Sequence, residues 1–499
     1  MSGPRLRLIT VLGSAALLAT LVAAPVAANG VTTRYVALTP VATGGGSCAQ
    51  PDYNTIQDAV NAANPGDTIR ICAGTYGGGT WVGTENLSFV GDGAATTILD
   101  GGGGSRLFGV SASAVSFTGL AFINGSAGWV DDGGAIRAAS AVTVTNSTFT
   151  NNFADYGGAI YGDFVTVTNS TFTNNDADEY GGAIDTDVVT VTNSTFTNNS
   201  VYDENGGAIS ANTATVTNST FTGNYADEED GGAIYADDAL TVTGSTFAGN
   251  FSDEDDGGAI AAYGTAVVAN STFSGNWADD DGGAIYSNGT TTITNDTFSG
   301  NWSWDGNALH IAYGGTLTNS ILSGAAPQCR DSIADGGGNV VTDNSCPGTV
   351  KSAAQIQLGP LANNGGPTQT MALGPLSAAI DAGVNASCAA APVSGRDQRG
   401  TARPQGLRCD SGAYEAAAGV TIAMISPAAG KVGTTVTLTG SGFTYVNTVT
   451  FNGVPAAFSI RSPSAIVTAV PVGATTGPIR VTTTFRLTGQ SPYNFTVLR

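Results

Sequence analysis

The tetrapeptide Gly-Gly-Ala-Ile recurs through the middle of the chain, with its isoleucine at Ile136, Ile160, Ile184, Ile209, Ile234, Ile260 and Ile285. A degenerate copy puts Leu309 in the same place, and the successive steps are 24, 24, 25, 25, 26, 25 and 24 residues. A phenylalanine keeps the same beat at Phe149, Phe172, Phe196, Phe221, Phe247, Phe273 and Phe298, with Phe122 before it and Ile321 after. Self-similarity at a fixed period of this length marks a solenoid, in which each unit buries its apolar side against the next.

The residues inside one period decide which kind of solenoid it is. Helical repeats need helix formers at 3.6-residue spacing, whereas these units offer Thr, Val, Asn and Gly. Each unit divides into Gly-Gly-Ala-Ile, an alternating Val142-Thr143-Val144 type of segment, a turn at Asn146, then Ser147-Thr148-Phe149 and an Asn pair. The expected fold is therefore all-β: a right-handed parallel β-helix with three short strands per coil of about 24–26 residues. Coils stacked at the strand spacing of about 4.8 Å would pile Phe on Phe and Ile on Ile in internal columns. The turn residue also repeats, as Asn146, Asn169, Asn193, Asn218, Asn270, Asn295 and Asn319, with Gly244 as the exception. Asn tolerates left-handed backbone, and stacked amides can form a hydrogen-bonded ladder. The Asn-x-Ser/Thr sequons that result follow from the repeat itself.

Upstream, Thr55 to Ala63, Pro65-Gly66-Asp67-Thr68-Ile69 and Gly74-Thr75-Tyr76 resemble the N-terminal cap of right-handed β-helix families related to pectate lyases. The resemblance implies a short amphipathic helix over the open first coil, tied by Cys48 to Cys72. The Gly-Gly-Ala-Ile and Asn-Ser-Thr-Phe units resemble those of bacterial surface β-helices, including the polymorphic outer membrane protein type. Downstream, Gly359-Pro360-Leu361, Asn364 to Thr368, Ala379 to Gly383, Asp397-Gln398-Arg399-Gly400, Arg403-Pro404 and Cys409 to Glu415 resemble a choice-of-anchor Q module. From Val420 on, Ile425-Ser426-Pro427, Gly440-Ser441-Gly442-Phe443, Val449 to Gly453 and Val470-Pro471 resemble an IPT/TIG domain, which implies a small immunoglobulin-like sandwich. The expected layout is a signal peptide over 1–28, the β-helix over 29–330 with its cap at 48–76, the anchor-like module over 331–418, and the IPT/TIG domain over 419–499.

The leader rests on Arg5 and Arg7 before an apolar run from Leu8 to Val22, with small residues through Ala28. Secretion or display at the cell surface is expected, with no membrane span in the mature chain. The six cysteines agree with an oxidising compartment. They fall as Cys48 and Cys72, Cys329 and Cys346, Cys388 and Cys409; pairing of neighbours is the simple reading, although sequence alone leaves other connectivities open. A net charge of -22 argues against nucleic acid or anionic lipid as partner, since both require clustered Lys and Arg. A monomer is expected, and an extracellular polysaccharide or another surface component is the partner class considered.

Candidate chemistry lies in the acidic turns and in a few aromatics. Asp227, Glu229 and Asp230, Asp253, Asp255 and Asp256, and Asp279 and Asp281 precede successive Gly-Gly pairs, so stacking places them in one stripe. Carboxylates about 5 Å apart repel by about 1 kcal/mol even at the dielectric of bulk water. The stripe is thus either a solvated face or a row of calcium sites, and calcium is the one cofactor considered. Trp277, Trp302 and Trp304 could stack on a sugar or cover the end of the rod. His310 is the sole histidine, and Arg137 the sole basic residue between Arg106 and Arg330. The acids recur at one phase of every coil, whereas an active site breaks symmetry once. No catalytic residue is assigned, and the expectation is a non-enzymatic adhesin, binding or spacer module. The alternative is a polysaccharide lyase, glycoside hydrolase or polysaccharide-binding protein of the pectate-lyase-like type.

Overall fold

Alternation of Val or Phe with Thr gives each short strand one apolar and one hydroxyl face, and the chain closes on itself with the apolar faces inward. The computed structural model describes residues 31–38, 45–83, 86–128, 130–331, 333–417, 419–484 and 488–499; the leader expected over 1–28 lies outside them. Strands from Thr33 to Val350 wind through three parallel sheets of 20, 13 and six strands, which are the three faces of a β-helix. Register is strict: Ile136 lies over Ile160, Ile160 over Ile184, and Phe149 over Phe172, then Phe196 and Phe221.

The inward column from Phe122 to Phe298 is fully buried. Successive rings lie 4.5–4.9 Å apart and within 10° of parallel. This is the strand spacing transmitted to the side chains, and it makes the core a continuous rod of aromatic and branched aliphatic groups. Ile56, Ala59 and Val60 of the helix Ile56–Asn61 close the first coil. Gln57 finishes the cap by mimicking a strand: its amide accepts from the Trp81 N–H at 2.7 Å and donates to the Trp81 carbonyl at 3.1 Å. The sheet edge is thereby shielded from pairing with another chain.

The asparagines divide their labour differently from the sequence reading. Asn146, Asn169, Asn193, Asn218, Asn270, Asn295 and Asn319 hold φ between 50° and 62°, so this column makes the left-handed corner, with Gly244 at φ 66° in the one odd coil. In that column Asn319 Nδ2 donates to Asn295 Oδ1 at 3.3 Å, but the continuous amide ladder is made by the second residue of the Asn pair: Asn152, Asn175, Asn199, Asn224, Asn250, Asn276 and Asn301. Each Nδ2 from Asn152 to Asn276 donates to the next Oδ1 at 2.8–2.9 Å. The same nitrogen donates to a phenylalanine carbonyl one coil back, as Asn199 does to Phe172. A corner residue points its amide outward, whereas the second Asn turns inward, where every polar atom needs a partner. Beside it, Ser147, Ser170, Ser194, Ser219 and Ser245 form a second ladder, in which each hydroxyl accepts a backbone N–H from one coil before: that of Leu120 at Ser147, and that of the preceding serine at the other four.

All three neighbour disulfides are present: Cys48–Cys72, Cys329–Cys346 and Cys388–Cys409. The segment from Leu358 to Glu415 folds back on the last coils. Ile356 and Ala379 pack against Ile321 and Val340. Gln398 lies over the threonine face, its Nε2 donating to the Ser245 carbonyl and Thr246 hydroxyl while its Oε1 accepts from Thr272. The resemblance motifs of this segment are largely its polar core: Arg403 pairs with Glu415 at 3.2 Å with both side chains fully buried, and Arg399 pairs with Asp397 while lying 3.6 Å over the Tyr414 ring. The C-terminal residues form two four-stranded antiparallel sheets around Val436, Leu438, Phe443, Val449, Phe451 and Ile466, an immunoglobulin-like sandwich.

Candidate functional site

The turns that precede Gly-Gly stack coil on coil. They form three rows, set by how the chain turns inward toward the glycine pair. Nearest the glycines lie Asn205, Asp230, Asp256 and Asp281, and here side chain and backbone interlock between coils. The Asp230 N–H donates to Asn205 Oδ1 at 3.0 Å, that of Asp256 to Asp230 Oδ1 at 3.0 Å, and that of Asp281 to Asp256 Oδ1 at 2.9 Å. The glycine that follows must stay a glycine: a Cβ on Gly231 (φ 75°) would lie 2.6 Å from the Ile234 carbonyl oxygen. Asp230 is 3% exposed and Asp256 9%.

Glu229 and Asp255 belong to the middle row, where burial and neighbouring carboxylates push both up. Asp227, Asp253 and Asp279 form the outer row, against aromatics. The Tyr225 hydroxyl donates to both Asp227 and Asp253, and Trp304 Nε1 donates to Asp279 at 3.2 Å. Of the eight acids singled out in the sequence, Asp230, Asp255 and Asp256 are therefore brought together, with one oxygen of each within 4.8 Å of the others. Asp281 extends their row by one coil.

Beside this cluster runs a line of phenols that the sequence reading did not pick out. Tyr235, Ala261, Tyr286 and His310 occupy the same register position in successive coils. Tyr263 fills the gap above Ala261, its ring 5.5 Å from Tyr235 and 5.9 Å from Tyr286. The Tyr263 hydroxyl donates to Asp230 Oδ2 at 2.6 Å. The signal available in the sequence was a tyrosine directly after the repeat isoleucine in two of these coils, Ile234-Tyr235 and Ile285-Tyr286. His310 is 8% exposed and is held between two carboxylates, Nδ1 2.8 Å from Asp281 and Nε2 3.0 Å from Asp331. Arg330 closes this end on Asp281 and Asp305.

Burial, with carboxylate crowding behind it, sets the protonation. Burial, then the neighbouring carboxylates, raise Asp256 to about 8, with Asp230 the largest charge contribution. Burial raises Asp230 to about 7, opposed by the Tyr263 hydrogen bond. At neutral pH the cluster therefore holds protons that ordinary aspartates release. A cation could replace them: three carboxylates converging in one pocket are oxygen donors of the kind calcium takes.

Trp277 and Trp302 lie in a different column. Tyr225, Phe251, Trp277 and Trp302 stack at 5.3, 4.2 and 5.3 Å, with interplanar angles of 25°, 8° and 7°. Both faces of Trp277 are covered by neighbours, so the column presents ring edges to solvent. Trp304 packs edge-on to Trp302 and is 71% exposed, and it offers the open aromatic face of the group. A cavity of about 580 Å³ lies elsewhere, between the 358–415 segment and the C-terminal domain, lined by Leu376, Ile380, Tyr414, Tyr445 and Pro463.

Comparison with known proteins agrees with this architecture. Residues 183–323 match the model of the right handed beta helix region, 146–163 and 169–187 match the Chlamydia polymorphic membrane protein repeat, and 421–497 match the IPT/TIG domain. No curated protein matches the sequence significantly. Among solved structures, an auxiliary nutrient binding protein from Bacteroides ovatus is similar at 21% identity and TM-score 0.15 over 16% of this chain. The matched part spans 21% of that protein's length. Pectate lyase Pel9A is similar at 18% identity and TM-score 0.38, covering 77% of this chain and 97% of its own. Carrot pectin methylesterase is similar at 14% identity and TM-score 0.27, covering 67% and 92%. The chain thus carries polymorphic-membrane-protein-type β-helix repeats and a C-terminal TIG domain, a combination that fits a surface or binding protein.

Proposed function

We propose that this is a non-enzymatic extracellular or cell-surface binding protein, in which the β-helix is a rigid rod bearing the binding faces and the C-terminal modules space it from its point of attachment. The observation that carries this reading is the interlocked aspartate row. Asp230 and Asp256 each spend one oxygen on the backbone N–H of the next coil, and His310 is clamped by Asp281 and Asp331, so these groups brace the stack. Three disulfides agree with an oxidising, extracellular setting. The ligand class is an extracellular polysaccharide or another surface component, with calcium as a structural ion in the cluster of Asp230, Asp255 and Asp256.

One observation favours a second reading, carbohydrate-active chemistry: two nearly buried carboxylates with raised proton affinity stand beside a phenol, and glycoside hydrolysis uses such pairs. The purified chain assayed against pectins, alginate and other acidic glycans, with and without calcium, separates the two. Binding without release of unsaturated or reducing ends is the expected result. Turnover at enzyme-like rates that is lost in Asp230→Asn and Asp256→Asn would replace the first reading with the second.

A further inference from the structure

One column on the outside of the rod does not repeat. The residue that follows the repeat isoleucine keeps one register from coil to coil, and the column reads Tyr161, Asp185, Ser210, Tyr235. Strand alternation turns these side chains away from the core, because the isoleucine before each of them is fully buried inside it. The turn of each coil folds back over this position: a Cβ on Gly206 would lie 3.0 Å from the Ser210 nitrogen. The fold-back brings the turn residue Glu204 beside the column, where it accepts the Tyr180 hydroxyl from the coil before. Tyr180 also feels the charge of Asp185, and Tyr235 that of Glu204. Asp185, Glu204, Tyr180 and Tyr235 thus stand around Ser210, the smallest side chain of the four in the column.

Two observations define what this depression accepts. Ser210 is only 5% exposed, yet its hydroxyl makes no hydrogen bond among the described residues, whereas buried polar groups ordinarily have a partner. The sequence also places no Lys or Arg between Arg137 and Arg330, so these coils have no basic side chain to set against Asp185 and Glu204. Burial raises the Glu204 carboxyl, opposed by the Tyr180 hydrogen bond and reinforced by Glu179 and Asp203. A cation that carries hydrogen-bond donors meets both conditions: it neutralises the carboxylates and donates to the serine oxygen. A tyrosine ring beside it adds cation–π attraction. The donor set does not suit a bare metal ion. Among the described residues the three carboxylates that come within 4.8 Å of one another are Asp230, Asp255 and Asp256, and neither Asp185 nor Glu204 joins them.

We propose that the depression at Ser210 binds the protonated amine of an amino sugar within an extracellular polysaccharide. The inference rests on the polysaccharide reading given above and narrows it to a cationic polymer. Asp185 and Glu204 receive the ammonium N–H groups, the Ser210 hydroxyl is the third acceptor, and Tyr235 flanks the sugar ring. A line of phenols continues from there: the Tyr263 ring stands 5.5 Å from Tyr235 and 5.9 Å from Tyr286, and gives the adjoining sugar rings a surface. The exposed Asp237 and Asp238 lie on the same strand as Tyr235, so further amines along the polymer also meet carboxylates. A single lysine side chain would fill the depression and leave the phenols unused. Without calcium to bridge them, the same charges repel a polyuronate.

The test is calorimetric titration of the full chain, in chelator and at mildly acid pH, with the glucosamine trimer as probe. The expected result is binding of that trimer, with none of its N-acetylated form and none of the galacturonate trimer. Asp185→Asn and Ser210→Ala are each expected to weaken it about tenfold, the effect of one lost hydrogen bond to a charged group, with thermal melts like that of the parent. Either variant serves alone if the other folds poorly. Glu254→Gln, exposed outside the depression and removing the same unit of charge, is expected to bind as the parent does. Equal affinity for the N-acetylated trimer or for trilysine would overturn the proposal, as would unchanged affinity in both variants. So would no binding of the glucosamine trimer. In that case the polysaccharide reading stands if a neutral or uronate oligosaccharide binds, in chelator or in calcium, and falls too if none does.

Discussion

Replacing Asp256 with asparagine isolates the electrostatic cost of the interlocked row. The substitution keeps an oxygen to accept the Asp281 N–H and removes one charge from the trio of Asp230, Asp255 and Asp256. The folded protein holds the Asp256 proton up to about pH 8, whereas the unfolded chain releases it near the ordinary value of 3.8. Between those values the native state binds more protons than the unfolded state, so stability falls as pH rises, and the loss is complete above about pH 8. Asp230, raised to about 7, adds a loss of the same sign over a slightly narrower window. At about 1.36 kcal/mol per pH unit, four units would cost about 6 kcal/mol if the site were rigid. Turns on the rim of a solenoid splay to admit water, and the two acids share one repulsion, so about 2–3 kcal/mol is the expected recovery. Urea titrations of parent and Asp256→Asn, in chelator at pH 4.5 and pH 8.5, measure it. The variant is expected to gain that amount at the higher pH and little at the lower. Calcium at tenfold a millimolar-range Kd should restore about 1.4 kcal/mol to the parent at pH 8.5 and less to the variant. A parent-to-variant difference that is the same at both pH values, or a variant that is less stable at pH 8.5, would refute the argument.

The other predictions concern the stack. Phe196→Ala opens a gap in a column of fully buried rings and should cost about 3–5 kcal/mol in chemical denaturation; a melt like that of the parent would contradict the packing. Asn199→Ala strands the Asn175 backbone N–H and one of its two side-chain N–H groups and takes a donor from the Phe172 carbonyl, while Asn224 Oδ1 keeps the Asn199 backbone N–H; at about 1–3 kcal/mol per unsatisfied buried group its cost should rival that of the phenylalanine despite the smaller volume removed. At the corner, Asn193→Gly should be nearly neutral and Asn193→Ala should lose about 1–2 kcal/mol, because φ 51° is left-handed backbone; equal stabilities would remove backbone strain as the reason for Asn at that position.

The period of the repeat and the alternation within it were enough to determine a three-faced β-helix with inward Ile and Phe columns, because a two-residue side-chain period and a fixed coil length leave the apolar residues one place to go. The helical cap from Ile56 to Asn61, the IPT/TIG sandwich and the pairing of cysteine neighbours were legible for a similar reason, since each is written in a contiguous motif. The division of the acidic turns was not. Asp227 and Asp230, like Asp253 and Asp256 one coil on, are separated by only a few residues of turn, and the path of the backbone alone sends Asp227 toward Tyr225 and Asp230 beneath Tyr263. The same holds for the asparagines: Asn146 and Asn152 are one residue type in one repeat, yet a left-handed corner turns the first outward and the next corner, at Asn151, turns the second into the core. His310 sits beside Asp281, far away in sequence, because one coil stacks Asp305 on Asp281 and the chain then turns through the next residues to bring His310 back over the same turn. Sequence thus specified which residues repeat; the handedness of each corner and the coil-to-coil register decided which of them meet.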